Sequence, residues 1–112
     1  MTSNLRTDIE LRQVYDKVVS FTRTTTGNAA ETVIDVSAYM EEANRISLIC
    51  EVQALYVRFD GSAATDTDPG LSLFMPVDGT YTESGIKITG IISIINAANG
   101  ANGRIRGTVW GR

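Results

Sequence analysis

The sequence predicts an all-β fold, an antiparallel β-sandwich or small jelly roll with a short N-terminal arm, and three observations carry that prediction. Residues 55–60 alternate strictly, with Leu55, Val57 and Phe59 on one side and Tyr56, Arg58 and Asp60 on the other, the period of a half-buried strand. Seven or eight short segments rich in β-branched and aromatic residues follow one another with turn signals between them. No segment has the pattern of a long helix.

At 112 residues the chain is expected to form a single domain over residues 14–112, preceded by an arm of residues 1–13. In the arm, Leu5, Ile9 and Leu11 are too sparse to build a core face. The spacing of Leu5 and Ile9 fits one side of a short helix, and an extended arm fits equally well.

Residues 14–24 favour a strand through Val14, Tyr15, Val18, Val19, Phe21, Thr22 and Thr24, and Thr26-Gly27-Asn28 supplies a turn. A second strand covers residues 32–37, with a bulge or a two-sided Ile34 and Val36. Residues 38–44 lose β-branching and carry Glu41-Glu42, which predicts a loop or one helical turn. Residues 45–52 form a third strand with Ile46, Leu48, Cys50 and Val52 on one face. It runs either into one long strand bent near Gln53-Ala54 or around a tight corner into a second one.

Residues 60–70 are small and polar, so they are expected to be exposed. Leu71, Leu73 and Met75 then alternate in a strand that Pro76 closes, because proline cannot donate to an interior ladder. Asp78-Gly79 marks a turn before a short strand near residues 80–82. Residues 86–95 read as one highly apolar strand, either buried on both faces or covered by a partner. Asn99-Gly100 and Asn102-Gly103 lead to a last strand, residues 104–110, in which Ile105 and Val109 face opposite to Arg106, Thr108 and Trp110.

Composition narrows the function. A net charge of −3 gives no footprint for nucleic acid, and no apolar run reaches the roughly 18 residues of a membrane span. No secretion signal is evident. The single Cys50 sits in an apolar run, as a buried thiol in a protein made in a reducing cytosol would. Eight arginines stand against two lysines, Lys17 and Lys87. That bias fits an interface-rich surface, and it fits codon bias in the source genome as well.

With no histidine, the usual general base and the commonest metal ligand are missing. Cys50 lacks the electropositive setting of a nucleophile. Asp66 and Asp68 offer alternating oxygen ligands, but Pro69-Gly70 breaks the calcium-loop pattern, so a solvated loop is the ordinary reading. Glu41 and Glu42 are adjacent and tend to diverge, which suits solvation better than acid–base work. The glycines of residues 100–103 do not lead from a strand into a helix and are hairpin glycines rather than a phosphate cradle. Tyr56, Tyr81 and Trp110 would suit a sugar surface if they lay in a row, although strand aromatics more often pack in the core or across strands. No catalytic residue, cofactor or metal site is expected.

The order Tyr56-Val57-Arg58-Phe59-Asp60-Gly61-Ser62-Ala63, an Ala/Thr/Asp loop, Leu73-Phe74-Met75-Pro76 and Gly85-Ile86-Lys87 resembles small virion proteins of tailed bacteriophages. The resemblance spans about residues 45–110. It implies a non-enzymatic capsid decoration, or cement, protein that binds the outer shell and clamps neighbouring major capsid subunits. Its implied location is the virion surface, after synthesis in the host cytoplasm, and its implied partners are the major capsid protein and further copies of itself as a dimer or trimer. On this reading Leu5, Ile9 and Leu11 anchor the arm on a neighbour, Arg6 and Arg12 pair with acidic capsid groups, and Arg58 and Asp60 order the polar loop or meet a partner. The alternatives are a head–tail connector, collar or tail-associated component, and a carbohydrate-binding β-sandwich module.

Overall fold

Among the described residues, eight strands in two four-stranded antiparallel sheets build the core. The computed structural model describes residues 16–67 and 70–112. In chain order the strands are β1 (Lys17–Thr24), β2 (Glu31–Asp35), β3 (Ala43–Glu51), β4 (Leu55–Arg58), β5 (Leu73–Met75), β6 (Thr80–Ile88), β7 (Ile91–Asn96) and β8 (Arg104–Gly111). One sheet runs β1-β8-β3-β6 and the other β2-β7-β4-β5. Successive strands from β1 to β4 and from β5 to β8 therefore interleave across two facing sheets, the double Greek key of a jelly roll.

Alternation puts the apolar residues between the sheets. Ile46, Leu48 and Cys50 of β3, Leu55 and Val57 of β4, Ile92 and Ile94 of β7, and Ile105 and Val109 of β8 are buried there, with Met75 and Ile88. Val19, Phe21, Val33, Phe59, Leu73, Tyr81 and Ile86 pack around them and are partly buried. Cys50 is buried as expected; its thiol donates to the Gln53 carbonyl at 3.1 Å, and burial pushes its pKa up.

The corner after β3 is the tight one. The Gln53 N–H donates to the Glu51 carbonyl at 2.9 Å across Val52, whose φ is +75°. This is a γ-turn of the rare, strained hand. It carries the chain from one sheet to the other, and Val52 points outward, 56% exposed, instead of sharing the buried face of Cys50.

Three other expectations give way. Residues 86–95 are two strands in different sheets, broken at Thr89-Gly90, where the Gly90 carbonyl accepts from the Val36 N–H at 3.0 Å. The strand near residues 80–82 is the start of the nine-residue β6. The second strand stops at Asp35, whose carboxylate accepts from Ser37 N–H at 3.1 Å and caps a 3₁₀ turn at Val36–Ala38 that buries Val36. The bulge expected in β2 falls between Thr32 and Ile34. No helix among the described residues is long and apolar enough to cross a membrane.

Candidate functional site

The outer face of the β1-β8-β3-β6 sheet is built from three cross-strand rows, each read directly from the register. The middle row is Ser20, Thr108, Ser47 and Thr82, four small hydroxyl residues side by side. Ser20 and Thr108 hydroxyls lie 3.0 Å apart, and those of Ser47 and Thr82 3.2 Å apart. Towards one end the next row is Val18, Trp110, Arg45 and Ser84. Towards the other it is Thr22, Arg106, Ile49 and Thr80. Over the short-chained middle row and the row of Thr22, Arg106, Ile49 and Thr80, the face dips into a shallow depression of about 520 Å³.

Arg106 lines this depression, Arg45 and Arg104 stand beyond it on the same face, and the three differ in how they are held. Arg45 lies over the Trp110 ring at 5.3 Å and donates to Ser84 Oγ at 3.1 Å. That position fixes the guanidinium by a cation–π contact. No carboxylate pairs with it among the described residues. Arg104 and Arg106 both donate to Glu51 Oε1, at 3.0 and 2.6 Å, and hold the Glu51 carboxyl below the usual carboxylate range. Glu51 is thus a fixed anion locking two arginines in place, not a proton carrier near neutral pH.

Arg58 and Asp60 occupy the other sheet's side of the molecule. Arg58 stands on β4 opposite Ser93 of β7. Its guanidinium grips the Asp60 carboxylate with two bonds, 2.7 and 2.9 Å, and Asp60 also accepts from Ser62 N–H at 3.1 Å. The arginine and its hydrogen bonds hold the Asp60 carboxyl low. The pair therefore orders the start of the loop after β4. That loop is not wholly exposed as expected: Ala64 is buried, and its N–H donates to the buried Ser93 Oγ at 3.0 Å, laying the loop against β7.

Leu5, Arg6, Ile9, Leu11 and Arg12 lie outside the described residues, as does Asp68 of the Asp66/Asp68 pair. Glu42 is taken up by Arg112, whose Nε and Nη2 donate to Oε1 at 3.0 and 2.6 Å. The three aromatics considered for a sugar surface are separated. Tyr56 meets Phe74 edge-on at 5.3 Å on one sheet, Tyr81 turns inward against Phe59 at 6.1 Å, and Trp110 lies on the other sheet's outer face. Strand parity decides this, and strand parity could not be read without knowing which sheet each strand joins.

Among the described residues no three His, Cys, Asp or Glu side chains converge as metal ligands would. The hydroxyl row escaped sequence reading because its members come from four strands, 26 to 88 positions apart in the chain. Single alternating serines and threonines look like ordinary solvent-facing strand positions.

The fold defines the class: among the described residues, an eight-stranded jelly roll with an apolar core between its two sheets. No family model matches the chain, and no curated protein matches it. Solved structures share the fold. A Cupin_2 domain of an XRE-family transcriptional regulator from Enterobacter cloacae superposes with a TM-score of 0.52 at 11% identity, covering 83% of this chain and 80% of that one. A capsid structure of Helicobacter pylori bacteriophage KHP30 gives 0.53 at 11% identity, covering 88% and 90%. A structure of Bacillus endospore appendages, described as disulfide-linked pili, gives 0.51 at 11%, covering 85% and 88%. At such identities the likeness is one of fold, and it spans a cupin domain, a phage capsid and pili.

Proposed function

We propose that this chain is a non-enzymatic capsid decoration protein that binds the outer shell of a phage particle and clamps neighbouring major capsid subunits. The observation that carries the reading is the outer face of the β1-β8-β3-β6 sheet. Its four central hydroxyls are paired, Arg45, Arg104 and Arg106 are held by their neighbours, and Glu51 is locked between two of them. Such a face suits surface-to-surface contact. Arg45, pre-positioned on Trp110, is the group to meet an acidic residue of a shell subunit.

The fold shared with a phage capsid structure supports the reading at the level of architecture. The action is mechanical. The sheet face holds one subunit while the arm, with Leu5, Ile9 and Leu11 as apolar anchors and Arg6 and Arg12 as charged ones, engages a neighbour. Two modest contacts on a tether then give persistent attachment.

The test is binding of the purified chain to capsid shells stripped of it. Wild type should saturate the shells, Arg45→Ala should lower occupancy several-fold with the fold intact, and deletion of residues 1–13 should lower it further. Undiminished occupancy in both variants would remove the reading.

A further inference from the structure

Two asparagine–glycine pairs, Asn99-Gly100 and Asn102-Gly103, stand in the connection between β7 and β8. This dipeptide is prone to spontaneous ring closure, because glycine has no side chain to shield its backbone nitrogen from the preceding amide. The glycine nitrogen loses its proton to hydroxide and attacks the asparagine Cγ. A C–N bond forms, and the side-chain nitrogen leaves as ammonia with a proton taken from water. Water then opens the succinimide at either carbonyl and leaves aspartate or isoaspartate, so only water is consumed and no electrons are exchanged.

The fold treats the two pairs differently. At Asn102 both reacting groups are held: its Oδ1 accepts from Asn96 Nδ2 at 2.8 Å, and the Gly103 N–H donates to the buried Thr25 Oγ1 at 3.0 Å. Gly103 itself is buried, with no room even for a Cβ beside Gln53 and Leu55. Its nitrogen reaches neither hydroxide nor the Asn102 Cγ unless this end of the sandwich opens.

At Asn99 the hold is single. Asn99 and Gly100 are exposed in a turn closed by the Ala101 N–H on the Ala98 carbonyl at 3.1 Å, with Gly100 at φ +78° as a type II turn requires. The Gly100 N–H donates to Asn28 Oδ1, in the β1–β2 connection, at 2.7 Å. An acceptor there favours the protonated nitrogen and would meet the amide anion with its own lone pair, so it opposes the deprotonation that starts ring closure. Because this bond is exposed, it opens more readily than the buried one at Gly103. The two aspartate–glycine pairs carry restraints of their own: Arg58 grips the Asp60 carboxylate, and the Gly79 N–H donates to the Pro76 carbonyl at 2.9 Å.

We infer that Asn99 is the site at which this chain spontaneously converts asparagine to aspartate and isoaspartate, and that the Asn28 side chain sets the rate by holding the Gly100 N–H. Asn28 is a positioning residue, acting through Gly100. Conversion puts a new negative charge on the connection and, as isoaspartate, lengthens its backbone by one atom. The chemistry does not depend on what the chain binds.

The experiment incubates the folded full chain at mildly alkaline pH and follows each asparagine by peptide mass spectrometry. In wild type Asn99 should convert ahead of Asn102, while in urea the two should convert at similar rates. Asn28→Ala should speed conversion at Asn99 about tenfold, the worth of one hydrogen bond, and leave Asn102 at its wild-type rate. Asn28→Asp, which keeps an acceptor oxygen, should return Asn99 close to the wild-type rate. Asn102 converting first in the folded chain, an unchanged Asn99 rate in Asn28→Ala, a rise at Asn99 and Asn102 together, or equal Asn99 rates in Asn28→Asp and Asn28→Ala would each overturn the inference.

Discussion

Thr25 and Asn96, separated by 71 positions, meet side chain to side chain at a buried end of the sandwich, the Thr25 hydroxyl donating to Asn96 Oδ1. The Asn96 amide nitrogen donates in turn to the Gly27 carbonyl at 3.0 Å and to Asn102 Oδ1 at 2.8 Å. Gly103 N–H closes the circuit on Thr25 Oγ1 at 3.0 Å. One polar knot thus joins the β1–β2 and β7–β8 connections, which belong to both sheets. Asn96→Ala leaves several of these buried groups without partners, so it should cost about 3 kcal/mol. Urea denaturation followed by circular dichroism checks this; a midpoint equal to wild type would contradict it.

Val52 stores strain that can be removed. A β-branched residue at φ +75° is among the least tolerated of backbone placements, and the side chain is exposed, so little packing compensates. Val52→Gly should raise stability by about 1 kcal/mol, since the relief at positive φ exceeds the added freedom of the unfolded chain. A thermal melt of the variant beside wild type reads the sign directly.

Acid should destabilise the fold in a defined direction. Arg112 lowers the pKa of Glu42, Arg104 and Arg106 that of Glu51, and Arg58 that of Asp60. For Glu31, burial pulls the pKa up, but the Thr26 N–H and Arg23 outweigh it and the carboxyl is lowered too. A carboxyl held lower in the folded state contributes stability above its unfolded pKa and loses it as pH falls through the folded value. Denaturation midpoints should therefore change little from neutral pH down to about 5 and decline below about 4. With no histidine in the chain, no step is expected near pH 6 to 7. Glu51→Gln should flatten part of the acid decline; an identical acid profile would show that the Arg104–Glu51–Arg106 cluster contributes nothing.

How far the sequence reached follows from what kind of information each feature needs. Alternation along β3, β4 and β8 was legible because each strand has one face in the core, and Ile46, Leu48, Leu55, Val57, Ile105 and Val109 all lie where their parity put them. Residues 86–95 were misread as one strand because β7 is buried on both faces and has no parity signal. Gly90 was then the sole mark of a crossing between sheets. Val52 was misplaced because a β-branched residue argues for a strand, while the corner here is imposed by the passage from β3 to β4. Asn96 and Ala64 carry no local sign of burial, since their partners, Thr25 and Ser93, are long-range. For the same reason the hydroxyl row and the Arg45–Trp110 contact needed the register of four strands. Arg58 at the end of β4 and Asp60 just beyond it, two residues apart, were within reach of local reading, and they pair at the start of the loop.

The central claim, a shell-bound decoration role, is tested most directly by counting this chain in purified particles and locating it in a low-resolution particle image. The account predicts on the order of hundreds of copies distributed over the outer shell at a symmetry axis. About a dozen copies or fewer at one vertex would point to a connector, collar or tail component, and absence from the particle would contradict the account altogether.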